Sequence, residues 1–496
     1  MDFTNLDWRA LLSVPTILLV LDWVIRIFAV IYIPRNRRPQ TATAWLLAIF
    51  FLPAIIGLAL FILFGSRRVP RKRRERQAEV DAYIRESTEG IDDLAGLEAG
   101  PEWLPPIVQL NRNLGAMPLV SGNRAELLPD YEESIARMTE AVTASKRWVH
   151  VEFYILILDA TTRIFFDAMA DAVARGVTVR VLYDHVACVR SPGYLRTIRE
   201  LKRIGVGWHP MLPIQPWRGR LQRPDLRNHR KILVVDGDTA FVGSQNMVDS
   251  TYNRASSRRR GLHWNDLMMR LEGPIVAELD ALFVTDWYSE TGELLSDTAI
   301  DQPAIEDAGV DRETIDAQVV PSGPGYEGEN NLRLFNSLLY AAQERVIITS
   351  PYFVPDDSML YAITTAAQSG LDVQLFVSEI GDQRVTHHAQ RSYYETLLRA
   401  GVRIFLYRAP TILHAKFFTV DDEVAVVGSS NMDMRSFSLN YEVSVMLHSA
   451  DAVARLRRLE DHYRDRSREL TLDEWIRRPR VMQVIDNVAR LTASVQ

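Results

Sequence analysis

Two apolar runs open the chain. Leu11 to Ile33 is mostly apolar over 23 residues and carries only Asp22 and Arg26. At about 1.5 Å per residue it can cross a hydrocarbon core of about 30 Å. The two charges are four residues apart, so they share a helix face and can pair. Ala44 to Phe64 is a second run, uncharged but interrupted by Pro53 and Gly57. No small-residue cleavage site follows the first run, so it does not read as a removed leader. Residues 1–76 are therefore expected to form a two-helix membrane region.

Residues 77–115 are charge-rich, punctuated by Pro101, Pro105 and Pro106, and read as a linker. Beyond them short apolar runs alternate with amphipathic ones. A strand is expected near Leu119, with helix 131–146, strand 148–156, helix 161–175, strand 177–184, helix 194–204 and strand 206–209. The order recurs: a strand near Val319, helix 331–344, strand 345–352, helix 358–368, strand 371–378, helix 391–399 and strand 402–407. Strands alternating with helices predict an α/β fold with a mostly parallel, helix-covered sheet in each half. The expected domains are 116–300 and 315–496. Gly176 matches Gly370 and Gly205 matches Gly401 at offsets of 194 and 196, but the later motif matches at 185. The first half thus holds about eleven extra residues within Pro210–Asn228, including Trp217, Arg218 and Arg220. They read as a loop at the mouth of a site.

Composition adds little. The net charge is −6, which excludes a globally basic nucleic-acid binder. The one cysteine, Cys188, leaves no intrachain disulfide. Arg35, Arg37 and Arg38 separate the apolar runs, and seven Arg and Lys follow between Arg67 and Arg76. That bias places the large C-terminal part in the cytoplasm. A second run that re-enters at Pro53 would instead keep both basic flanks on one side. The basic cluster also suits anionic headgroups.

The chemistry sits in two matching stretches, HRKILVVDGDTAFVGSQN from His229 and HAKFFTVDDEVAVVGSSN from His414. Each has His, Lys two residues on, Asp seven on, then Gly-Ser-x-Asn. In a strand, His229 and Lys231 share a face, as do His414 and Lys416. An imidazole beside a fixed cation suits an anionic phosphodiester. Ser244, Asn246, Ser429 and Asn431 add neutral donors for substrate. Asp266 and Glu442 each enter an apolar strand after the motif, and a buried acid there needs a partner. The obvious partner is the histidine of its own motif, which the acid would orient. His185, His387 and His388 read as structural, and no spacing reads as a metal site.

The two stretches resemble the signature of the phospholipase D superfamily. With two apolar segments ahead of them, the chain resembles the bacterial cardiolipin synthases of that type. Pro39-Gln40-Thr41, Glu152-Phe153-Tyr154-Ile155, Leu182-Tyr183-Asp184, Glu272-Gly273-Pro274, Asp286-Trp287, Ser322-Gly323-Pro324 and Pro351-Tyr352-Phe353-Val354-Pro355 add to the likeness. The resemblance implies two phospholipase D-like α/β domains about a pseudo-twofold axis, and a multi-pass cell-membrane enzyme. It implies phosphatidyl transfer between two phosphatidylglycerols, with no cofactor, no metal and no nucleic-acid partner. The catalytic set it implies is His229, Lys231, Asp236, His414, Lys416 and Asp421. His229 is the expected nucleophile, through a phosphatidyl-histidine, and His414 the acid/base. Asp236 and Asp421 have a second reading, as fold residues. A lipid hydrolase or a membrane-tethered phosphodiesterase or nuclease of the superfamily would use the same residues.

Overall fold

The computed structural model describes residues 14–35, 39–65, 70–91, 100–215, 220–295, 314–326 and 328–492. The start of the first apolar run, Arg37, Arg38, Arg67, Arg68, Trp217 and Arg218 lie outside them. Two compact units result, Met1–Arg68 and Val69–Gln496.

Among its described residues the first unit shows three helices, where two were expected over residues 1–76. Val14–Tyr32 is 19 residues, long and apolar enough to cross a membrane. The second run divides at Leu52-Pro53 into Pro39–Phe51 and Ala54–Phe64, of 13 and 11 residues. Each spans only about 17–20 Å, short of a hydrocarbon core. Asp22 and Arg26 do pair, at 2.6 Å. They also serve the break. Ala54 N–H donates to Asp22 Oδ1 at 3.0 Å, and Arg26 Nη1 donates to Phe50 O at 2.7 Å. Backbone groups freed at the proline are thereby satisfied without water, which apolar surroundings demand.

The second unit is built on one continuous sheet. The first half contributes β1 (Val120–Leu128), β2 (Trp148–Phe153), β3 (Thr178–Asp184), β4 (Gly207–Met211), β5 (Lys231–Val235), β6 (Thr239–Gly243) and β7 (Met268–Glu272). The second contributes β8 (Ile315–Ser322), β9 (Arg345–Thr349), β10 (Asp372–Ser378), β11 (Arg403–Tyr407), β12 (Phe417–Val420), β13 (Val424–Gly428), β14 (Asn440–His448) and β15 (Ser467–Leu470). Their order is β15-β11-β10-β9-β12-β13-β14-β8-β1-β7-β6-β5-β2-β3-β4. Read outward from the antiparallel β8–β1 junction, the two halves repeat each other, as a pseudo-twofold axis requires.

The sheet is mixed, not mostly parallel. Among the strands named above, only β2-β3-β4 and β9-β10-β11 are parallel. Each motif folds as an antiparallel hairpin, β5–β6 or β12–β13, and the next strand adds antiparallel to it.

The expected linker is part of this unit. Helix Arg71–Ser87 buries Arg73, Gln77, Val80 and Ile84, one face at helical spacing. Helix Leu104–Gly115 buries Leu104, Ile107 and Val108 in the core of the second half. Arg73 does not face a headgroup, because it pairs with buried Glu290 at 2.7 Å. The inserted loop forms a small hairpin, Ile214–Gln215 with Arg220–Leu221, and hydrogen-bonds His185.

Candidate active site

Each motif histidine stands at the start of its hairpin, at the edge where the parallel strands of its half end. The registers Phe153↔Lys231 and Thr349↔Phe417 fix this. At the other end of the hairpin, Asp236 and Asp421 turn the chain with φ of 54° and 48°. Asp tolerates that left-handed region better than most residues. The Asp236 carboxylate accepts the N–H groups of Lys146, Arg147 and Trp148 at 2.7, 2.8 and 2.9 Å. Asp421 accepts those of Gln343, Glu344 and Arg345 at 3.0, 2.8 and 2.9 Å. A strand of roughly 15–20 Å separates each from its histidine. This geometry supports their second reading, as fold residues. They anchor β2 and β9, and recur because both copies need the same turn. Asp236→Ala should cost about 2–4 kcal/mol of stability, from amides left without acceptors. Turnover per folded molecule should be unchanged. Thermal melts beside an activity titration check this.

The acids cross between halves. His414 Nδ1 lies 2.6 Å from Asp266 Oδ1, and His229 Nδ1 lies 3.0 Å from Glu442 Oε2. Each histidine is thus paired with the carboxylate of the other half, not of its own as expected. Backbone pairing explains the exchange. Arg227–Asn228 runs parallel to the start of β14, and His229 N–H donates to Tyr441 O at 2.8 Å. Likewise His263–Asn265 runs parallel to Thr411–Leu413, and His414 N–H donates to Asn265 O at 2.6 Å.

The tautomers follow. Ser429 O is 3.1 Å from His229 Nδ1, and a carbonyl can only accept, so Nδ1 carries the proton. Lys416 Nζ lies 3.1 Å from His414 Nε2, so that nitrogen accepts and Nδ1 again carries the proton. The His229 Nε2 lone pair is left for chemistry, while that of His414 is taken up by Lys416. No hydrogen bond to His229 Nε2 occurs among the described residues.

The serines act differently from the expectation. Ser244 Oγ donates to Asp266 Oδ1 and Ser429 Oγ to Glu442 Oε2, both at 2.6 Å. They hold the acids and are not free for substrate. The preceding glycines permit this, since a side chain at Gly243 or Gly428 would run into the carbonyl of Leu267 or Val443. Asn246 is also engaged, accepting from Ile155 N–H and donating to Tyr252 Oη. Asn431 Oδ1 is buried without a partner among the described residues, so this amide alone of the four retains an unused group.

Electrostatics separate the two pairs. Burial lowers His229 well below the usual imidazole range, and Lys231, Lys416 and His414 push it further down. Burial also lowers His414, but the Asp266 charge works against that. Burial raises Asp266, yet the charge and hydrogen bond of His414 bring it down to about 2. Burial lifts Glu442 to about 7 despite Lys231. Lys416 is lowered by burial to about 8.

Sequence reasoning missed the supports. Tyr154 packs edge-on to His229 at 4.8 Å between ring centroids, and Tyr352 to His414 at 6.3 Å. Fully buried Arg230 pairs with Asp286 and donates from Nε to Glu442 O at 3.1 Å. Asn228 Nδ2 donates to Glu152 Oε1 at 2.9 Å, and Asn228 N–H donates to Asp184 at 3.0 Å. The second half has Ala415 where the first has Arg230. The repeat itself therefore gave no signal for this network. Among the described residues no group of three or more His, Cys, Asp or Glu could hold a metal ion.

The comparisons with known proteins bear on this geometry. A family model described as "Cardiolipin synthase, PLD-like domain" matches residues 138–287 and 335–462. The chain belongs to this family. A second model, "Phospholipase_D-nuclease N-terminal", matches residues 24–66. Among relatives, cardiolipin synthase A of Proteus mirabilis is 31% identical over 459 residues, 91% of this chain and 92% of that one. The cardiolipin synthase of Halalkalibacterium halodurans is 31% identical over 500 residues, 98% and 95% of the two chains. The crystal structure of phosphatidylserine synthase from Haemophilus influenzae shares the fold. Its TM-score is 0.59 at 16% identity, over 78% of this chain and 99% of that one.

Proposed function

We propose that the protein is a membrane-associated phosphatidyltransferase that makes cardiolipin and glycerol from two molecules of phosphatidylglycerol. One observation carries the mechanism: two Nδ1–H histidines each stand on a carboxylate of the opposite half, each with the lysine of its own motif hydrogen-bonded to its backbone carbonyl. His229 Nε2 attacks phosphorus, and the P–O bond to the leaving glycerol breaks. His414, entering this step as the imidazolium with a proton on each ring nitrogen, gives its Nε2 proton to that oxygen. His414 then takes the hydroxyl proton of the second lipid, whose oxygen displaces His229 and closes the cycle. The lysines offset charge on the phosphoryl oxygens. The roles follow from the asymmetry. Ionised Asp266 supports an imidazolium on His414, while His229 is held neutral with a free lone pair.

Val14–Tyr32 is the anchoring span in this reading, and the two short helices form a re-entrant hairpin bent at Pro53. Both basic flanks then lie on the cytoplasmic side with the catalytic unit.

Purified enzyme given labelled phosphatidylglycerol in micelles, with excess chelator, should yield cardiolipin and glycerol. Phosphatidic acid alone would mean that water is the acceptor. Loss of activity restored by a divalent ion would overturn the metal-free scheme.

The pH profile of kcat/KM should be a bell between about 7 and 8. Glu442 must be ionised to accept the His229 proton, so activity falls as pH drops through about 7. Lys416 must be charged, so activity falls as pH rises through about 8. Lys416→Arg should remove the alkaline limb from whatever activity remains, because guanidinium does not titrate there. A limb unmoved by that change assigns it to another group.

A further inference from the structure

The last described helix, Arg480–Arg490, is amphipathic the wrong way round for a soluble surface. A surface helix ordinarily turns its apolar stripe to the core. Here the side facing the protein carries Asp486, fully buried, with Ala489 beside it. Asp486 is held by a histidine and two arginines. His388 Nδ1 lies 2.8 Å away, and Arg391 and Arg478 are each at 3.4 Å. The opposite side is open. Val481 is 69% exposed, Val484 60%, Val488 59% and Leu491 81%. Their spacing of three and four residues makes one continuous stripe, joined by half-exposed Ile485.

The exposed charges on the helix and at its start are of one sign. Arg477 and Arg480 are exposed at its start, and Arg490 lies near its end, over the Tyr393 ring at 4.5 Å. The only acid within the helix is Asp486, and it is neutralised inside. An exposed apolar stripe flanked by arginines is the pattern of a helix lying in the plane of an anionic membrane surface.

Its place in the fold suits that role. The helix is tied through His388 to helix Arg384–Arg391. That helix carries half-exposed Val385 and follows the end of β10, the edge where His414 stands. Beside it Tyr352, the tyrosine against His414, donates to Asp382 at 2.9 Å. On the first half, exposed Val189 closes the short helix that follows β3 at the corresponding edge.

We infer that Arg480–Arg490 is an interfacial docking helix, seating the catalytic unit on the anionic bilayer that holds its lipid substrate. The stripe enters the headgroup–acyl boundary, and the flanking arginines meet phosphates. This deepens the phosphatidyl-transfer reading and rests on it only for why a lipid surface should be approached at all.

The test uses the full chain in vesicles of phosphatidylcholine and phosphatidylglycerol. An environment-sensitive fluorophore is placed at Val484→Cys, with exposed Asp451→Cys as the aqueous reference; native Cys188 is buried. The label at 484 should shift to the blue, be quenched by nitroxide lipid and be shielded from iodide, unlike the label at 451. Iodide quenching equal at both sites would overturn the proposal. So would shielding from both quenchers with energy transfer between labelled copies, which would show a second chain on the stripe. A second arm reads turnover. Val481→Ser, Val484→Ser and Val488→Ser together should cut turnover of vesicle-borne lipid by at least about tenfold. Turnover of dispersed short-chain lipid should be unchanged. Equal loss on both substrates, or none on vesicles, would overturn it. The fluorescence arm is independent of the reaction, so its failure is distinguishable from failure of the functional reading.

Discussion

His229→Ala should abolish phosphatidyl transfer, by on the order of 10⁶-fold if the loss matches that of other covalent nucleophiles. No substrate should rescue it. His414→Ala should be as inert on phosphatidylglycerol but not on a nitrophenyl ester of phosphatidic acid. Nitrophenolate leaves without a proton, so the acid is not needed for the first step. The expected result is a burst of one nitrophenolate per enzyme, then a stall, because no base activates the incoming alcohol. The phosphatidyl label should be found on His229 by mass spectrometry. The structure motivates this order. His229 Nε2 has no hydrogen bond among the described residues, while His414 Nε2 already accepts from Lys416. A label on His414, or a burst from the His229→Ala protein, would reverse the roles.

The repeat made the two-half architecture and the four paired motif residues legible from sequence. His229, Lys231, His414 and Lys416 fall where their spacing puts them, at the start of antiparallel hairpins. What was not legible was anything that depends on the partner half. Asp266 and Glu442 read as partners of their own histidines because a sequence repeat carries no record of which copy lies beside which. The parallel bridges at Arg227–Asn228 and His263–Asn265 decide it, and they are only two and three residues long. Helix Ile275–Thr291 was hidden for a different reason. It is buried on nearly every side, so its apolar positions have no single face. Its acids look like a solvated stripe, yet Glu278 accepts from Val319 N–H, Asp280 meets His150 and Asp286 meets Arg230. Helix Arg71–Ser87 was hidden because its charges outnumber its apolar residues, so that 71–76 reads as a basic flank of the membrane region and 77–87 as connector. Four inward positions, two of them polar, were enough to dock it.

The crossed acids give the sharpest consequence of the fold. Glu442→Gln and Asp266→Asn keep size and most hydrogen bonding, but an amide accepts more weakly and can offer N–H to Nδ1. That favours the wrong tautomer, with the proton on Nε2. Each should lower kcat by roughly two to four orders of magnitude, as the equivalent change does in a serine protease triad. Because the pairs cross, the damage should too. Asp266→Asn lies in the first half, yet should behave as a lesion of His414. It should hold a nitrophenyl burst at His229 and lose the alcohol-dependent step. Glu442→Gln lies in the second half, yet should slow the burst itself, since His229 would present a protonated Nε2 to phosphorus. It should also remove the acid limb near pH 7 from whatever activity remains, because that limb belongs to the Glu442 carboxyl. The glutamine keeps an amide donor and acceptor beside Ser429 and Asn440, so folding should survive. If the effects stay within each half, with Asp266→Asn slowing the burst and Glu442→Gln sparing it, the acids do not act through the histidines they touch.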